Sequence, residues 1–240
     1  MPVIQLENVT KWYWAGRRRR DRHKEIAVAD IDLTIEQGDF AFVIGSAGAG
    51  KSTLLNLIGG REKPSSGQVL VDGRDLLKMM RKDRRRTRLL FGYVSREGDL
   101  IRKENVMGNM WRAARIGRRM FESEEEMYAR IRKALGLVGM TGYESKYPGQ
   151  MTHGECRRVE LACALVNSPP ILLLDDFTSN LDDDSIWDMF HLIKELNRRG
   201  TTIIMATHSS KYVNMMHQRV ITLSDGKVAG DVRNGRYGIV

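Results

Sequence analysis

This 240-residue chain is poor in proline, with five residues, and poorer in cysteine, with two. So little proline beside 23 glycines excludes collagen-like and proline-rich low-complexity classes. Cys156 and Cys163 are seven positions apart, on one face of an expected helix. That spacing is ~10 Å of helical rise, beyond disulfide reach. Both read as reduced thiols, so the expected compartment is the cytoplasm. No apolar run approaches the ~20 residues needed to cross a bilayer. The opening Met1-Pro2-Val3-Ile4-Gln5 lacks the basic-then-apolar layout of a secretion signal. Aromatics are also few and are not interleaved with the basic runs, so a stacking surface for single-stranded nucleic acid is not expected.

What is present is globular material. Hydrophobic residues at 42% and charged residues at 29% exclude global disorder, and the length suits one large domain. The net charge of +9 is unevenly spread. Arg17 to Lys24 and Arg81 to Arg88 each hold six basic residues and one acid, +5 apiece, so the rest of the chain stands at 9 − 5 − 5 = −1. The basic character is two local patches on a nearly neutral body. Such patches suit solvated faces or an anionic membrane surface, and nucleic acid is the less favoured partner.

Short apolar runs alternate with helical patterns. Phe40 to Ile44, Ile171 to Leu174 and Thr202 to Ala206 read as buried strands, and Phe91 to Val94 as another. Lys51 to Ile58 predicts a helix stopped by Gly59-Gly60, and Asp184 to Arg198 one stopped by Gly200. Continuous apolar strands alternating with helices imply a parallel sheet covered on both faces. Ile4 to Leu33 and Arg219 to Gly230 read as antiparallel hairpin material, the second with an Asp225-Gly226 turn. Glu104 to Leu165 is charged and helical in pattern.

Two segments carry chemistry. Gly45-Ser46-Ala47-Gly48-Ala49-Gly50-Lys51-Ser52 matches G-x-x-x-x-G-K-[ST] in full, between a predicted strand and a predicted helix. Glycines let the backbone wrap phosphate with its N–H groups, and the helix N-terminus adds partial positive charge. Lys51 reaches the terminal phosphates and the Ser52 hydroxyl suits Mg²⁺. A dinucleotide fingerprint is disfavoured, because a third glycine would be needed at Thr53. The other segment is Leu172-Leu173-Leu174-Asp175-Asp176. Acids at the C-terminal end of a buried strand lie where parallel sheets bind ligands. Asp175 is the candidate metal carboxylate, and Asp176 the group that would orient or deprotonate the attacking water.

With these in place the chain resembles the ATP-binding cassette (ABC) family of transporter-type ATPases along essentially its whole length. The order of segments carries the resemblance: Tyr13 at the adenine-stacking position, the phosphate loop from Gly45 to Thr53, a signature-like Met151 to Cys156, the Asp175-Asp176 strand end, Ser179-Asn180-Leu181-Asp182, and His208. The tail from Gly200 to His208, with Tyr212-Val213-Asn214, Arg219-Val220-Ile221 and Gly235-Arg236-Tyr237-Gly238, is most similar to the cell-division branch. Lipoprotein-releasing and macrolide-export ATPases are near relatives of that branch.

The resemblance implies an α/β P-loop nucleotide-binding domain with a mainly parallel core sheet, an antiparallel β subdomain and a helical subdomain. It implies one domain over residues 1–240, with core 1–95 and 168–240 and helical part about 96–167. It implies a homodimer formed with ATP and Mg²⁺, coupled to an integral membrane protein at the inner face of the membrane. Tyr13 would stack adenine. Gly45, Ser46, Ala47, Gly48, Ala49, Gly50, Lys51, Ser52 and Thr53 would hold phosphate. Ser52 and Asp175 would hold metal, Asp176 would act on water and His208 would meet the γ-phosphate. Thr152, Gly154 and Asp182 would serve the opposite subunit.

Three positions depart from the family pattern. His153 replaces a signature glycine, Arg96 replaces the Q-loop glutamine, and Asp176 replaces the catalytic glutamate, with Phe177 where proline is usual. A guanidinium has no lone pair to ligate a cation, though it pairs with phosphate. The expectation is intact nucleotide binding with slow hydrolysis. The alternatives are a regulatory scaffold with little turnover, or the ATPase subunit of a lipoprotein-release or macrolide-export type ABC transporter.

Overall fold

A computed structural model describes residues 3–16, 22–117, 122–179 and 181–238. The chain divides into two compact units, Met1–Lys82 with Ile203–Val240, and Asp83–Thr202.

In the first unit, β1 (Ile4–Ala15) and β2 (His23–Ile35) form the expected antiparallel hairpin, and β4 (Ser66–Val71) and β5 (Arg74–Asp75) extend it in the order β2-β1-β4-β5. Inward positions alternate with exposed ones: Ile4, Leu6, Val28, Ile31, Leu33 and Ile35 are buried. That period of two is why these segments are strands with one covered face. The other sheet segment is different. All five residues of β3 (Phe40–Ile44) are buried, as are those of β8 (Thr202–Ala206). Strands without a polar face must be covered on both sides, and β3 pairs in parallel with β8 on one side and β9 (Arg219–Ser224) on the other. β10 (Lys227–Val232) returns antiparallel to β9 through Asp225 and Gly226, both at positive φ, as the turn signal requires. Between β3 and β4 lies α1 (Lys51–Ile58), which buries Leu54, Leu55, Leu57 and Ile58. Each such side chain contributes roughly 1.5–3 kcal/mol. α2 (Leu76–Lys82) and α8 (Ser210–Met216) complete the unit.

The second unit pairs β6 (Phe91–Val94) in parallel with β7 (Ile171–Asp175), in register from Phe91↔Ile171 to Val94↔Leu174. α3 (Arg84–Arg88) precedes β6, and Asp83 caps it by accepting from the Arg86 N–H at 2.9 Å. The segment without strand signal contains α4 (Val106–Ile116), α5 (Glu124–Leu137) and α6 (His153–Leu165); α7 (Asp183–Arg198) follows β7. Each start carries a local signal: Asn105 caps α4, Ser123 and Thr152 form capping boxes with Glu126 and Glu155, and Asp182 caps α7. Where α4 ends, the Arg130 guanidinium donates to the Ala114 carbonyl and to Glu122. Among the described residues, no helix is long and apolar enough to cross a membrane.

Candidate nucleotide site

The phosphate loop belongs to the first unit. It leaves β3 at Ile44 and enters α1 at Lys51. Gly50, the residue before the helix, has φ +97°, and a Cβ there would lie 2.4 Å from the Ala27 carbonyl oxygen. Gly45 is equally constrained, since a Cβ would lie 2.3 Å from the Leu223 carbonyl oxygen. The glycines are therefore demanded twice, by backbone conformation and by neighbouring main chain. Ser46, Ala47 and Gly48 form an exposed rim, Ala49 is buried, and Ser52 and Thr53 are half-buried on the first turn of α1.

The start of α1 carries no side-chain cap, which suits its N–H groups to an anion. Lys51 is 7% exposed, and its ammonium donates to the Gly45 and Ser46 carbonyls at 2.9 and 2.8 Å. A cation is thus held inside the curl of the loop. Thr207 N–H donates to the Val43 carbonyl, which aligns the end of β8 with the end of β3 and brings exposed His208 out at the loop end of this sheet.

The three neighbouring aromatics of β1 separate by face. Trp12 and Trp14 meet edge-on at 5.2 Å, with the Lys24 ammonium 4.2 Å from the Trp12 ring. Tyr13 points the other way. Its hydroxyl donates to Glu62 at 2.5 Å and also meets the Thr53 side chain of α1. Burial first, and Glu62 second, push the phenol up to about 12, so it stays protonated. Lys24 lies in β2, and its stacking on Trp12 comes from strand pairing across the hairpin, which linear sequence does not display. Positions 17–21 of that basic patch lie outside the described residues.

The acids and the signature segment belong to the second unit. Asp175 closes β7 and is 5% exposed; Asp176 follows with φ +48°, a left-handed turn conformation uncommon for a non-glycine residue. Parallel pairing puts Val94 opposite Leu174, so Ser95 and Arg96 leave β6 level with the two acids. Arg96 Nε stands 3.4 Å from Asp176 Oδ2. The two residues that depart from the family pattern here form an ion pair.

Thr152 is the N-cap of α6. Its hydroxyl accepts from the Glu155 N–H at 3.2 Å, and Glu155 accepts in return from the Thr152 N–H at 2.7 Å. A hydroxyl used as acceptor retains its own proton to donate. Glu155 also accepts from the Tyr143 hydroxyl at 2.5 Å, which, with the Thr152 N–H, holds its carboxyl below 4.5. The His153 ring turns aside, with Nε2 3.3 Å from the Ser179 carbonyl oxygen. Among the described residues, a Cβ on Gly154 would meet nothing closer than Leu181 at 3.6 Å, an ordinary contact, and none of them requires glycine there. Asp182 accepts from Ser185 N–H and Oγ–H at 2.8 and 2.7 Å, and these bonds hold its carboxyl low. Asn180 lies outside the described residues. Burial pushes the Cys163 thiol up to about 12 and raises Cys156, so neither is a ready nucleophile.

Two charged residues escaped the sequence reading: Arg157 and Glu160, both buried on α6. Their signal was an i,i+3 opposite pair on the buried face of a helix.

Residues 28–179 match the ABC transporter family model. The chain is 34% identical over 236 residues to the cell division ATP-binding protein FtsE of Bacillus subtilis (strain 168), covering 98% of this chain and 99% of that protein. It is 35% identical over 238 residues to FtsE of Mycobacterium tuberculosis (strain ATCC 25618 / H37Rv), covering 99% of each. The dimeric post-hydrolysis structure of the ATP-binding cassette MJ0796, bound to ADP and Pi, matches with a TM-score of 0.87 at 30% identity, covering 98% of this chain and 100% of that one. A phosphate loop of this geometry, an acid-ended strand and a capped signature helix, in a chain this similar to FtsE from end to end, make it an ATP-binding and ATP-hydrolysing member of the ABC transporter family.

Proposed function

We propose that this ATPase works as a homodimer on the inner face of the cell membrane, where ATP-driven closure and hydrolysis move an integral membrane partner of the FtsX type. The observation that carries this reading is the likeness to FtsE over 98–99% of both chains, tail included. The MJ0796 cassette, itself dimeric with ADP and Pi, supports the dimer. So does Gly154, a glycine that none of the described residues of its own chain requires.

In this reading Tyr13 packs on adenine, the Gly45–Thr53 loop and Lys51 hold the phosphates, and His208 meets the γ-phosphate. Thr152, Gly154 and Asp182 serve the nucleotide of the second copy. Asp176 accepts a hydrogen bond from the attacking water. Among the described residues no His/Cys/Asp/Glu cluster could hold a metal by itself. Mg²⁺ is usually bound through one or two protein oxygens together with substrate phosphates. Ser52 and Asp175 are the hard oxygen donors for it, and when bound it would neutralise phosphate charge. Arg96 is no ligand for a cation. Residues about 96–167 form the helical arm of a single cassette domain.

Arg84, Arg85, Arg86 and Arg88 are exposed on and beside α3. This face suits anionic lipid or an acidic partner at about 1 kcal/mol per charge. Neutralising Arg84, Arg85 and Arg86 together should weaken binding to phosphatidylserine vesicles at low salt; unchanged binding would leave them as a solvated face.

The ion pair on Asp176 favours a second reading, a nucleotide-controlled scaffold with little turnover. ATPase activity with and without an FtsX-type protein in liposomes separates the two. The first reading requires stimulation by the membrane protein; activity that stays at the basal level supports the scaffold.

A further inference from the structure

The stretch leaving β6 is held in an unusual way. Arg157, on α6 and next in sequence after the signature-like Met151 to Cys156, is 2% exposed. Its guanidinium donates to the Ser95 carbonyl at 2.7 Å and to the Arg96 carbonyl at 2.6 Å. The same group donates to Glu160 at 2.8 Å. Glu160 in turn lies directly beneath Gly98, where a Cβ would come within 2.4 Å of its carboxylate oxygen. Buried ionic groups cost desolvation and rarely persist without compensating hydrogen bonds. Here burial raises the Glu160 carboxyl even though Arg157 beside it acts in the opposite direction.

Part of this segment borders open space rather than packed side chains. A cavity of about 60 Å³ lies beside it, lined by Ser95, Asp99, Asn109, Glu160 and Cys163 among others. Ser95 Oγ is buried without a hydrogen-bond partner. A segment resting on a void rather than on close-packed side chains depends on its few directed bonds for position. The side chain that emerges from it is Arg96, whose Nε stands 3.4 Å from Asp176.

We infer that Arg157 is a positioning residue for hydrolysis: by gripping the Ser95 and Arg96 carbonyls it fixes where the Arg96 guanidinium, and with it the Asp176 carboxylate, stands. The Glu160 carboxylate holds Arg157 in that pose. The signature helix is thereby tied through one side chain to the catalytic acid. This rests on the reading of Asp176 as the group that acts on water.

Arg157→Lys tests it. An ammonium retains the charge beside Glu160 but lacks the planar fork that spans two carbonyls. The expected result is ATP affinity within about twofold of the parent and a single-turnover rate lowered about tenfold, since a ~1 Å misplacement costs up to ~10²-fold. Arg157→Gln with Glu160→Gln removes both charges together, leaves no buried ion alone, and should lower the rate similarly with the fold kept by circular dichroism. Coupling gives the decisive readout. In an Arg96→Gln background, Arg157→Lys should have little further effect, because residues acting in one chain are non-additive. Additive losses, an unchanged or raised rate in folded variants, or equal losses in binding and turnover would overturn the inference. Asp176→Asn run alongside keeps the failures distinct. If it hydrolyses ATP like the parent, the reading of Asp176 fails; if it is inactive while Arg157→Lys is unaffected, only the role of Arg157 fails.

Discussion

The phosphate loop and the loop from Ser95 to Gly98 do related work by opposite means. The first is built from backbone. Its shape follows from glycines that no other residue can replace, and its cation is held by loop carbonyls. The second is built from side chains. A buried arginine holds its carbonyls, a buried glutamate lies under its glycine, and an exposed arginine reaches an aspartate. A backbone device tolerates almost no substitution, so its sequence matches the family pattern in full. A side-chain device can be rebuilt from other residues, and this chain departs from the pattern there, at Arg96 and its partner Asp176.

Substitutions on the two sides should break that contrast in different ways. The largest effect is expected from Lys51→Ala, which removes the cation from the loop. ATP-dependent dimerisation should disappear in gel filtration, and ATPase activity should fall by at least the ~10²–10³ seen when one preorganised group is lost. A variant that still dimerises with ATP would contradict the role of Lys51.

On the other side, Asp176→Asn should abolish single-turnover hydrolysis of pre-bound ATP, about 10²-fold or more, with ATP binding kept. Asp176→Glu should raise the rate by restoring the missing methylene. Equal rates in parent and Asp176→Asn would support the scaffold reading.

Two glycines sharpen the comparison. Gly50→Ala forces a Cβ towards the Ala27 carbonyl at φ +97° and should cost roughly 1–3 kcal/mol of stability in denaturant unfolding. Gly154→Ala finds ordinary contacts and should leave the monomer as stable as the parent. Its effect should appear only as a weaker ATP-dependent dimer. Equal stability losses in both would dissolve the distinction.

The smallest effect concerns pH. Tyr143 and the Thr152 N–H hold Glu155 below 4.5. A carboxylate lowered on folding contributes stability that is complete above the unfolded value and lost as pH falls through the folded one. Glu160, raised by burial, acts oppositely, its contribution fading as pH rises through its folded value. Glu155→Gln should therefore flatten the decline of melting temperature below about pH 4.5. A decline as steep as the parent's would assign it to other groups.

Much of this was legible in the linear chain. β3, α1, β6 and β8 fall at their expected bounds because each is a short apolar run or an amphipathic turn closed by glycine or a loop. The phosphate loop was legible because local backbone geometry demands its residues. Those features depend on neighbours within a few positions.

Only the tertiary structure decided the rest. Arg96 and Asp176 are 80 residues apart in sequence, and parallel pairing of β6 with β7 makes them partners. Arg157 meets carbonyls 61 and 62 positions away. Tyr13, rather than Trp12 or Trp14, faces Glu62 and Thr53 because strand pleating sends alternate side chains to opposite faces. The sequence by itself determined where the phosphate-loop motif lies and which backbone it adopts, because such a cradle is local backbone. The structure decided how Asp176 is held, because a buried charge is stable only with partners that folding brings from far along the chain.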